Sequence, residues 1–405
     1  MIETFITHVK NHIYVSVMIG EVLTVLVMEG VMQTASDNWF FILLLWILLF
    51  TIPFLFSDYI QLWRLSYTIS NFINFLDRIV TSSFTSVVNL IEQLLKSERT
   101  SESRIRIESS IKNLMELVVI EPTTLETQGL VKKLKLLVNF YNDKLERDVS
   151  LLIPNAERPI IQNLVNAVES LRVLNYIYKT VNHYYRLGMK YRNPYPLVQI
   201  YVLMPFIKEV VNALSGAVST FLKGQPIGDS AGPLTAFKFL KQCKSVNEIK
   251  HTIKDTYICL CEFEDRKVYV VKALGPGGTV GHLDDALLYL IERSGVKPKV
   301  IITVDAALKL EGEKTGIITE GIGVAIGGLG IEKFNIETIA TKYGIPLYAI
   351  LIKMSIQEAL TTMPKEVSIA VDQVIEKLKE IIRSVTKPGD EVIFIGVGNT
   401  VGVSQ

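Results

Sequence analysis

The stretch EVIFIGVGN, residues 391–399, follows the turn sequence KPGD at 387–390 and ends an apolar run on a glycine and an asparagine. A short run this apolar is typical of a strand that is buried on both faces, as the central strands of parallel sheets are. The sequence therefore predicts a central parallel strand over residues 392–397, with Asn399 just beyond its end.

Four other β-rich runs precede this strand: YICLCEF (257–263), KVYVVKA (267–273), VKPKVIITVD (296–305) and IPLYAILIK (345–353). They alternate with helical stretches over 233–243, 282–294, 332–343 and 364–385. Alternation of this kind indicates an α/β domain around a mostly parallel sheet. The turn sequence EDRK between the first two runs predicts one antiparallel hairpin. Residues 224–405 are thus expected to form one α/β domain.

Two aspartates lie where such a sheet would carry a site, in loops beyond the carboxyl ends of strands. Asp305 directly follows the apolar run VIITV, and Asp229 precedes a helix that is predicted to begin near Pro233. Two carboxylates that converge over glycine-rich backbone could hold a divalent metal, or share a proton and activate water. The alternative for each is a turn or helix-capping role.

Three further residues are candidates in the same loops. His282 could be a ligand or general base, or a solvated loop histidine. Lys309 and Glu313 lie just past Asp305, and they fit either substrate contact or a solvated charge cluster. The glycine-rich segments at 275–278 and 321–330 match no phosphate-loop pattern, so a nucleotide site is not predicted.

The segments IGDSAGPLTAFKFL (227–240) and VDAALKLEGEKTGIITEGIGVAIGGLGIEK (304–333) resemble the superfamily of hydrogenase-maturation endopeptidases and spore germination proteases. The resemblance implies a phosphorylase/hydrolase-like α/β fold and peptidase-like activity. It assigns the two acids to Asp229 and Asp305, and the glycine–asparagine turn to residues 396–399.

In that resemblance, the amides of Gly228 and Gly398 and the side chain of Asn399 would position a substrate carbonyl. No histidine follows His282, which departs from the metal site of the maturation peptidases, and only Glu320 could replace the second germination-protease aspartate. The acidic loop opens this domain and the glycine–asparagine turn closes it. This order is the one expected from a circular permutation.

The N-terminal region predicts a membrane anchor over residues 1–58. WFFILLLWILLFTIPFLF, residues 39–56, carries no charge, which predicts a span over 39–57. Residues 13–32 are also apolar but contain Glu21 and Glu29, so a second span there is left open. In both cases the large C-terminal part is expected in the cytoplasm.

Residues 59–223 predict a helical domain that serves as an interaction element and could self-associate. Its last stretch, 197–222, is very apolar but carries Lys208 and Glu209 at its middle, which favours a buried soluble helix. The segment HYYRLGMKYRNPYP, 183–196, combines basic and aromatic residues. It is interpreted as a helix end with snorkelling side chains, followed by a proline-marked loop.

The balance of 42 Lys and Arg against 41 Asp and Glu gives no basic footprint for nucleic acid. Three cysteines form no disulfide framework, in agreement with a reducing compartment. The whole chain also resembles an uncharacterised archaeal family of membrane-anchored proteins. The leading interpretation is a membrane-anchored cytoplasmic hydrolase, peptidase-like, that acts on protein or peptide. The alternatives are a non-catalytic scaffold or assembly factor, and a channel or transporter component.

Overall fold

The computed structural model describes residues 39–95, 101–120, 122, 127–327 and 330–405. Its N-terminal part is helical, as predicted. The helices are α1 (Trp39–Leu94), α2 (Ser101–Met115), α3 (Thr127–Leu152), α4 (Arg158–Tyr191) and α5 (Pro194–Lys223). The second span predicted over 13–32 lies outside the described residues.

The ends of α5 follow from local sequence chemistry. The side chain of Asn193 accepts a hydrogen bond from the Tyr195 amide, and Pro194 occupies the first turn, where it needs no partner for a backbone N–H. At the other end, Gly224 adopts a left-handed conformation with φ of 62° and stops the helix. The chain then leaves the helical region and enters the α/β domain.

Among the described residues, one helix is long and apolar enough to cross a membrane, and it is α5 rather than the predicted N-terminal segment. The expectation of a buried soluble helix fits the C-terminal half of α5, where Val211 and Val218 are buried. In the N-terminal half, Val202 is 69% exposed and Phe206 57%. Residues 39–57 form the start of α1, and the side chain of Trp46 there is 58% exposed.

The C-terminal part is an α/β domain with a seven-stranded sheet. Its strands are β1 (Val246–Glu248), β2 (Thr256–Phe263), β3 (Arg266–Ala273), β4 (Pro298–Leu308), β5 (Ile318–Ile322), β6 (Leu347–Met354) and β7 (Glu391–Gly396). Its helices are α6 (Ala231–Leu240), α7 (Leu283–Leu288), α8 (Ile331–Tyr343), α9 (Ile356–Leu360) and α10 (Lys365–Val385), and a short 3-10 turn over Gly228–Ser230 precedes α6.

The strand order is β1-β2-β3-β7-β4-β6-β5, so the last strand of the chain lies in the middle of the sheet. β7 runs parallel to both β3 and β4, which confirms the prediction for this strand. The predicted hairpin is also confirmed. β2 and β3 pair antiparallel, and Glu264 and Asp265 in the turn both have positive φ.

The sheet is mixed rather than mostly parallel. β1 and β5, which the sequence did not indicate, add antiparallel pairs at the two edges. β5 lacks an apolar run because its side chains lie at an exposed edge. Exposed edge strands need few apolar residues, and the central Thr-Glu-Gly of β5 shows no alternation of apolar and polar residues that would predict a strand.

Helices cover both faces of the sheet. On one face, α6 and α10 pack over Val270, Val304 and Phe394. On the other, α7 and α8 pack over Ile301 and Ile395. β7 and β4 are parallel neighbours in the middle of the sheet, and their carboxyl ends lie at the edge where open α/β sheets bind ligands.

Candidate functional site

A cavity of about 1090 Å³ lies over the carboxyl ends of β4 and β7. The α/β domain contributes Asp229, Asp305 and Asn399 to its wall, and helices α3 and α4 of the helical region contribute Lys135 and Asn166. Its size is at the upper end of the range of ligand pockets. The two parts of the chain therefore build this cavity together.

Asp229 is held at the cavity by a close approach of backbones. The Oδ2 atom of Asp229 accepts a 2.9 Å hydrogen bond from the Asn399 N–H, so the loop after β7 and the acidic loop are in direct contact. Gly398 has φ of +129°, and a Cβ there would collide with the Asp229 carbonyl oxygen. The two glycine-rich segments at opposite ends of the domain thus meet, as predicted.

Gly232, in the first turn of α6, lies against the ends of β4 and β7 with no room for a side chain. A Cβ on it would collide with the carbonyl oxygens of Val397 and Val304, which are backbone atoms that cannot rotate away. This contact sets the height of Asp229 above the sheet.

Gly232→Ala is therefore expected to destabilise the domain by about 3 kcal/mol, since overpacking forces a backbone shift. The midpoint of denaturant unfolding measures this change. Gly321→Ala is the matched control, because the nearest atom to its added Cβ would be the Ala349 Cβ at 3.8 Å. Equal midpoints in the two variants would show that the loops do not pack as described.

Asp305 lies in strand β4, three residues before its last residue Leu308, and is 6% exposed. Burial, and then the negative charge of Asp229, raise the pKa of Asp305 to about 8, although the backbone N–H groups of Ala306 and Gly327 act in the opposite direction. Burial also raises the pKa of Asp229, against the hydrogen bond from Asn399. The two carboxyl groups are therefore electrostatically coupled, and ionisation of Asp229 disfavours ionisation of Asp305.

Asn399 is a positioning residue in this structure. Its side-chain Oδ1 accepts from the Val401 N–H at 3.0 Å, and its Nδ2 donates to Asn166 Oδ1 at 3.2 Å. The predicted role, positioning a substrate carbonyl through the side chain, would require these bonds to break. The Asn399 backbone holds Asp229 instead.

The glycine-rich loop at 275–278 docks on helix α4. Asn163 Oδ1 accepts from the Gly278 N–H at 2.8 Å, and Asn166 Nδ2 donates to the Gly278 carbonyl at 2.6 Å. A Cβ on Gly277 would collide with Gln162. These glycines are required for the close contact between the helical part and the α/β domain.

A second group of acids, which the sequence reasoning missed, includes Asp285 and Glu332 in the cavity wall and the buried Asp284 next to them. Lys135 of α3 bridges Asp284 and Asp285 at 2.7 and 2.8 Å. Glu332, in the first turn of α8, also lines the cavity, and burial followed by the charge of Asp284 raises its pKa to about 7. Its position in the first turn of a helix within a glycine-rich segment was the available sequence signal.

His282 lines the cavity too, and its Nδ1 atom is 4.0 Å from the Asp285 carboxylate, so it lies beside this second group of acids. Glu320 does not reach the cavity. It extends from edge strand β5 and pairs with Lys377 of α10 at 2.6 Å. The expected role of Glu320 beside the two aspartates is therefore corrected. β5 runs antiparallel to β6 at the edge of the sheet, so Glu320 does not lie at the carboxyl end of a parallel strand.

Lys309 and Glu313 are also outside the cavity. Lys309 Nζ donates to Thr315 Oγ1 at 2.9 Å, and Glu313 accepts from the Leu310 N–H at 2.6 Å, so both order their own loop. Gly228 lies against the Glu358 carbonyl, where a Cβ would collide, and its N–H donates to the Thr361 carbonyl. That amide is therefore occupied and not free to bind a substrate.

The donor set gives weak support to a metal at Asp229 and Asp305. In the described parts of the chain, no group of three or more His, Cys, Asp or Glu side chains is arranged to hold a metal ion.

Two family models match consecutive parts of the chain. The model described as the N-terminal domain of a protein of unknown function, DUF1512, matches residues 43–224, and the model of the DUF1512 C-terminal domain of unknown function matches residues 227–404. Comparison with curated proteins gave no match.

Proposed function

Since the chain belongs to the DUF1512 family, whose description assigns no activity, we propose a function from the site itself: hydrolysis of a peptide or related amide bond by the pair Asp229 and Asp305. The observation that carries the proposal is the electrostatic coupling of these two carboxyl groups in one large cavity. A proton-sharing carboxyl pair can act as base and acid in the same step.

In this mechanism Asp229 is the carboxylate and Asp305 is the acid. Asp229 takes a proton from a water molecule while the water oxygen bonds to the substrate carbonyl carbon. Asp305 donates a hydrogen bond to the carbonyl oxygen, on which negative charge develops. The C–N bond then breaks, and the proton held by Asp229 passes to the leaving nitrogen. The products are a carboxylic acid and an amine.

The two roles are assigned from the coupling of the pair. Burial raises the pKa of Asp229, and the Asn399 N–H, which donates to Asp229 Oδ2, acts against this increase. The negative charge of Asp229 in turn favours the protonated form of Asp305. A base and an acid at neutral pH are the requirement for this reaction.

A membrane location belongs to the same proposal. It is supported by the apolar, exposed side chains at the start of α1 and by the length and composition of α5. The enzyme is then a membrane-anchored hydrolase with its cavity on the cytoplasmic side, and the resemblance to the peptidase superfamily supports the substrate class.

The test uses the full chain in detergent or vesicles, incubated with a mixture of unfolded proteins and peptides. Mass spectrometry then identifies new chain termini. We expect new termini with the wild type and with the control Asp372→Asn, whose exposed carboxylate pairs with Lys238 on α6. Asp229→Asn and Asp305→Asn are expected to produce none. New termini in equal number from all four proteins, or from none, would overturn the proposal.

A further inference from the structure

The end of the helical region opposite the cavity carries an exposed surface that the hydrolase proposal does not use. It is formed by the end of α4, the turn into α5 and the first turn of α5, residues 183–198, and is called here the elbow surface. Its tyrosines and aliphatic side chains are unusually open, with Tyr195 65% exposed. Tyr184, Tyr191 and Val198 are exposed with it.

The elbow surface is basic as well as aromatic. Residues 183–198 contain Arg186, Lys190 and Arg192 and no Asp or Glu. Aromatic rings together with basic side chains are the composition of the boundary between a bilayer and water, where rings lie at headgroup level and cations meet anionic lipid.

The position of the elbow surface is fixed by helix α1. Lys208 Nζ lies 5.7 Å from the centre of the Phe75 ring, and the Ser83 and Ser215 hydroxyl oxygens are 3.5 Å apart. From the first pair to the second, the residue number increases on both helices, from Phe75 to Ser83 on α1 and from Lys208 to Ser215 on α5. The two helices therefore run parallel. The turn into α5 therefore lies near residue 62 of α1, about 18 Å along the helix from Phe50, whose side chain is 66% exposed.

The end of α4 is at the same level, because Ser66 and Tyr185 are hydrogen-bonded at 3.1 Å. Apolar side chains of α1 thus continue outward from the same end of the molecule that carries the aromatic and basic residues. A bilayer that accommodates the first part of α1 would have its headgroups at the elbow surface.

We propose that the elbow surface is a second membrane contact, which binds the headgroups of anionic phospholipids. Helix α4 then separates this contact from the cavity. Asn166 and Tyr191 are 25 residues apart, which is roughly 37 Å along a helix. The cavity is held at that distance from the bilayer, so its substrate is a soluble chain or a segment that projects well beyond the lipid.

This proposal rests on the membrane location proposed above, but its test does not depend on the hydrolase, because lipid contact is measured without turnover. The full chain is prepared with the photoreactive residue benzoylphenylalanine in place of Tyr195. The matched control carries it in place of Phe334, an exposed aromatic residue on α8. Both proteins are illuminated in vesicles of equal parts phosphatidylcholine and phosphatidylglycerol, and adducts are identified by mass.

We expect adducts of phosphatidylglycerol at position 195 and none at position 334. Arg186→Gln with Lys190→Gln is expected to lower the yield at 195 by about fivefold for each charge removed. Equal yields at 195 and 334 would overturn the proposal. A yield at 195 that is the same with and without the substitutions Arg186→Gln and Lys190→Gln would also overturn it. Adducts between two protein chains at 195 would also overturn it and would assign the surface to self-association.

Discussion

Asp305→Asn is expected to abolish hydrolysis and, at the same time, to raise the thermal midpoint of unfolding at neutral pH. The carboxyl group is buried beside Asp229 and its pKa is raised to about 8, so the folded chain is destabilised by any charge placed there. An amide keeps the shape and cannot ionise. We expect a gain of ~2 kcal/mol in the free energy of unfolding, or about 4–8 °C for a domain of this size.

The gain in stability depends on pH. The folded chain retains the Asp305 proton up to about pH 8, whereas the unfolded chain releases it near the ordinary pKa of 3.8. The folded state therefore binds more protons in this window, and the stability of the wild type falls as the pH rises through it. The variant lacks this slope, so the difference between the two proteins is small at acid pH and largest above about pH 8.

Thermal unfolding curves across this pH range measure the difference. Asp372→Asn is the control, because a single surface ion pair contributes little to stability and its removal should leave the pH dependence unchanged. A variant at Asp305 that loses stability at every pH would show that the carboxylate is a structural ion and not a strained member of an acid–base pair.

Removal of the last ten residues, 396–405, is expected to unfold the α/β domain. Val397, Val401 and Val403 are all buried, and each buried side chain of this size contributes ~1.5 to 3 kcal/mol. The segment also provides backbone hydrogen bonds from Val397 to Val304 and from Thr400 to Thr279. Together these losses approach the whole stability of a typical domain.

Circular dichroism and limited proteolysis of the truncated chain test this expectation. Deletion of Gln405 alone is the control, since this residue is exposed at the end of the chain. We expect the control to keep its strand signal and its resistance to protease, and the longer deletion to lose both. A folded protein after removal of 396–405 would contradict the central position of the chain end.

The central strand could be predicted because its neighbours on both faces require an unbroken apolar run, which is visible in residues 392–395. The meeting of Asp229 with Asn399 was implied by the resemblance to peptidases in which the two glycine-rich segments are consecutive, and the fold permits it. A central parallel strand brings its carboxyl end to the loops of its neighbours, and glycines at 232 and 398 allow the backbones to touch.

The rest of the cavity depends on long-range packing that leaves no local pattern. Asn166 and Lys135 are ordinary polar residues on helices, and only the docking of α3 and α4 brings them to the cavity. Glu320 was misplaced because β5 was not foreseen as an edge strand. Asn399 was given a free side chain because its partner on α4 could not be anticipated.

The state of the aspartate pair can be observed directly in the infrared spectrum of the full chain labelled with carbon-13 aspartate. The label distinguishes aspartic from glutamic acid, including Glu332, and a protonated carboxyl group has its own stretching band. We expect an aspartic acid band that persists through neutral pH and disappears near pH 8 in the wild type. The component that disappears near pH 8 should be missing in Asp305→Asn, where the remaining band belongs to Asp229, whose pKa burial also raises. In Asp229→Asn the band should disappear at lower pH, because the neighbouring charge is removed. If the whole aspartic acid band of the wild type has already disappeared in the acid range as the pH is raised, the result would contradict a shared proton at Asp229 and Asp305.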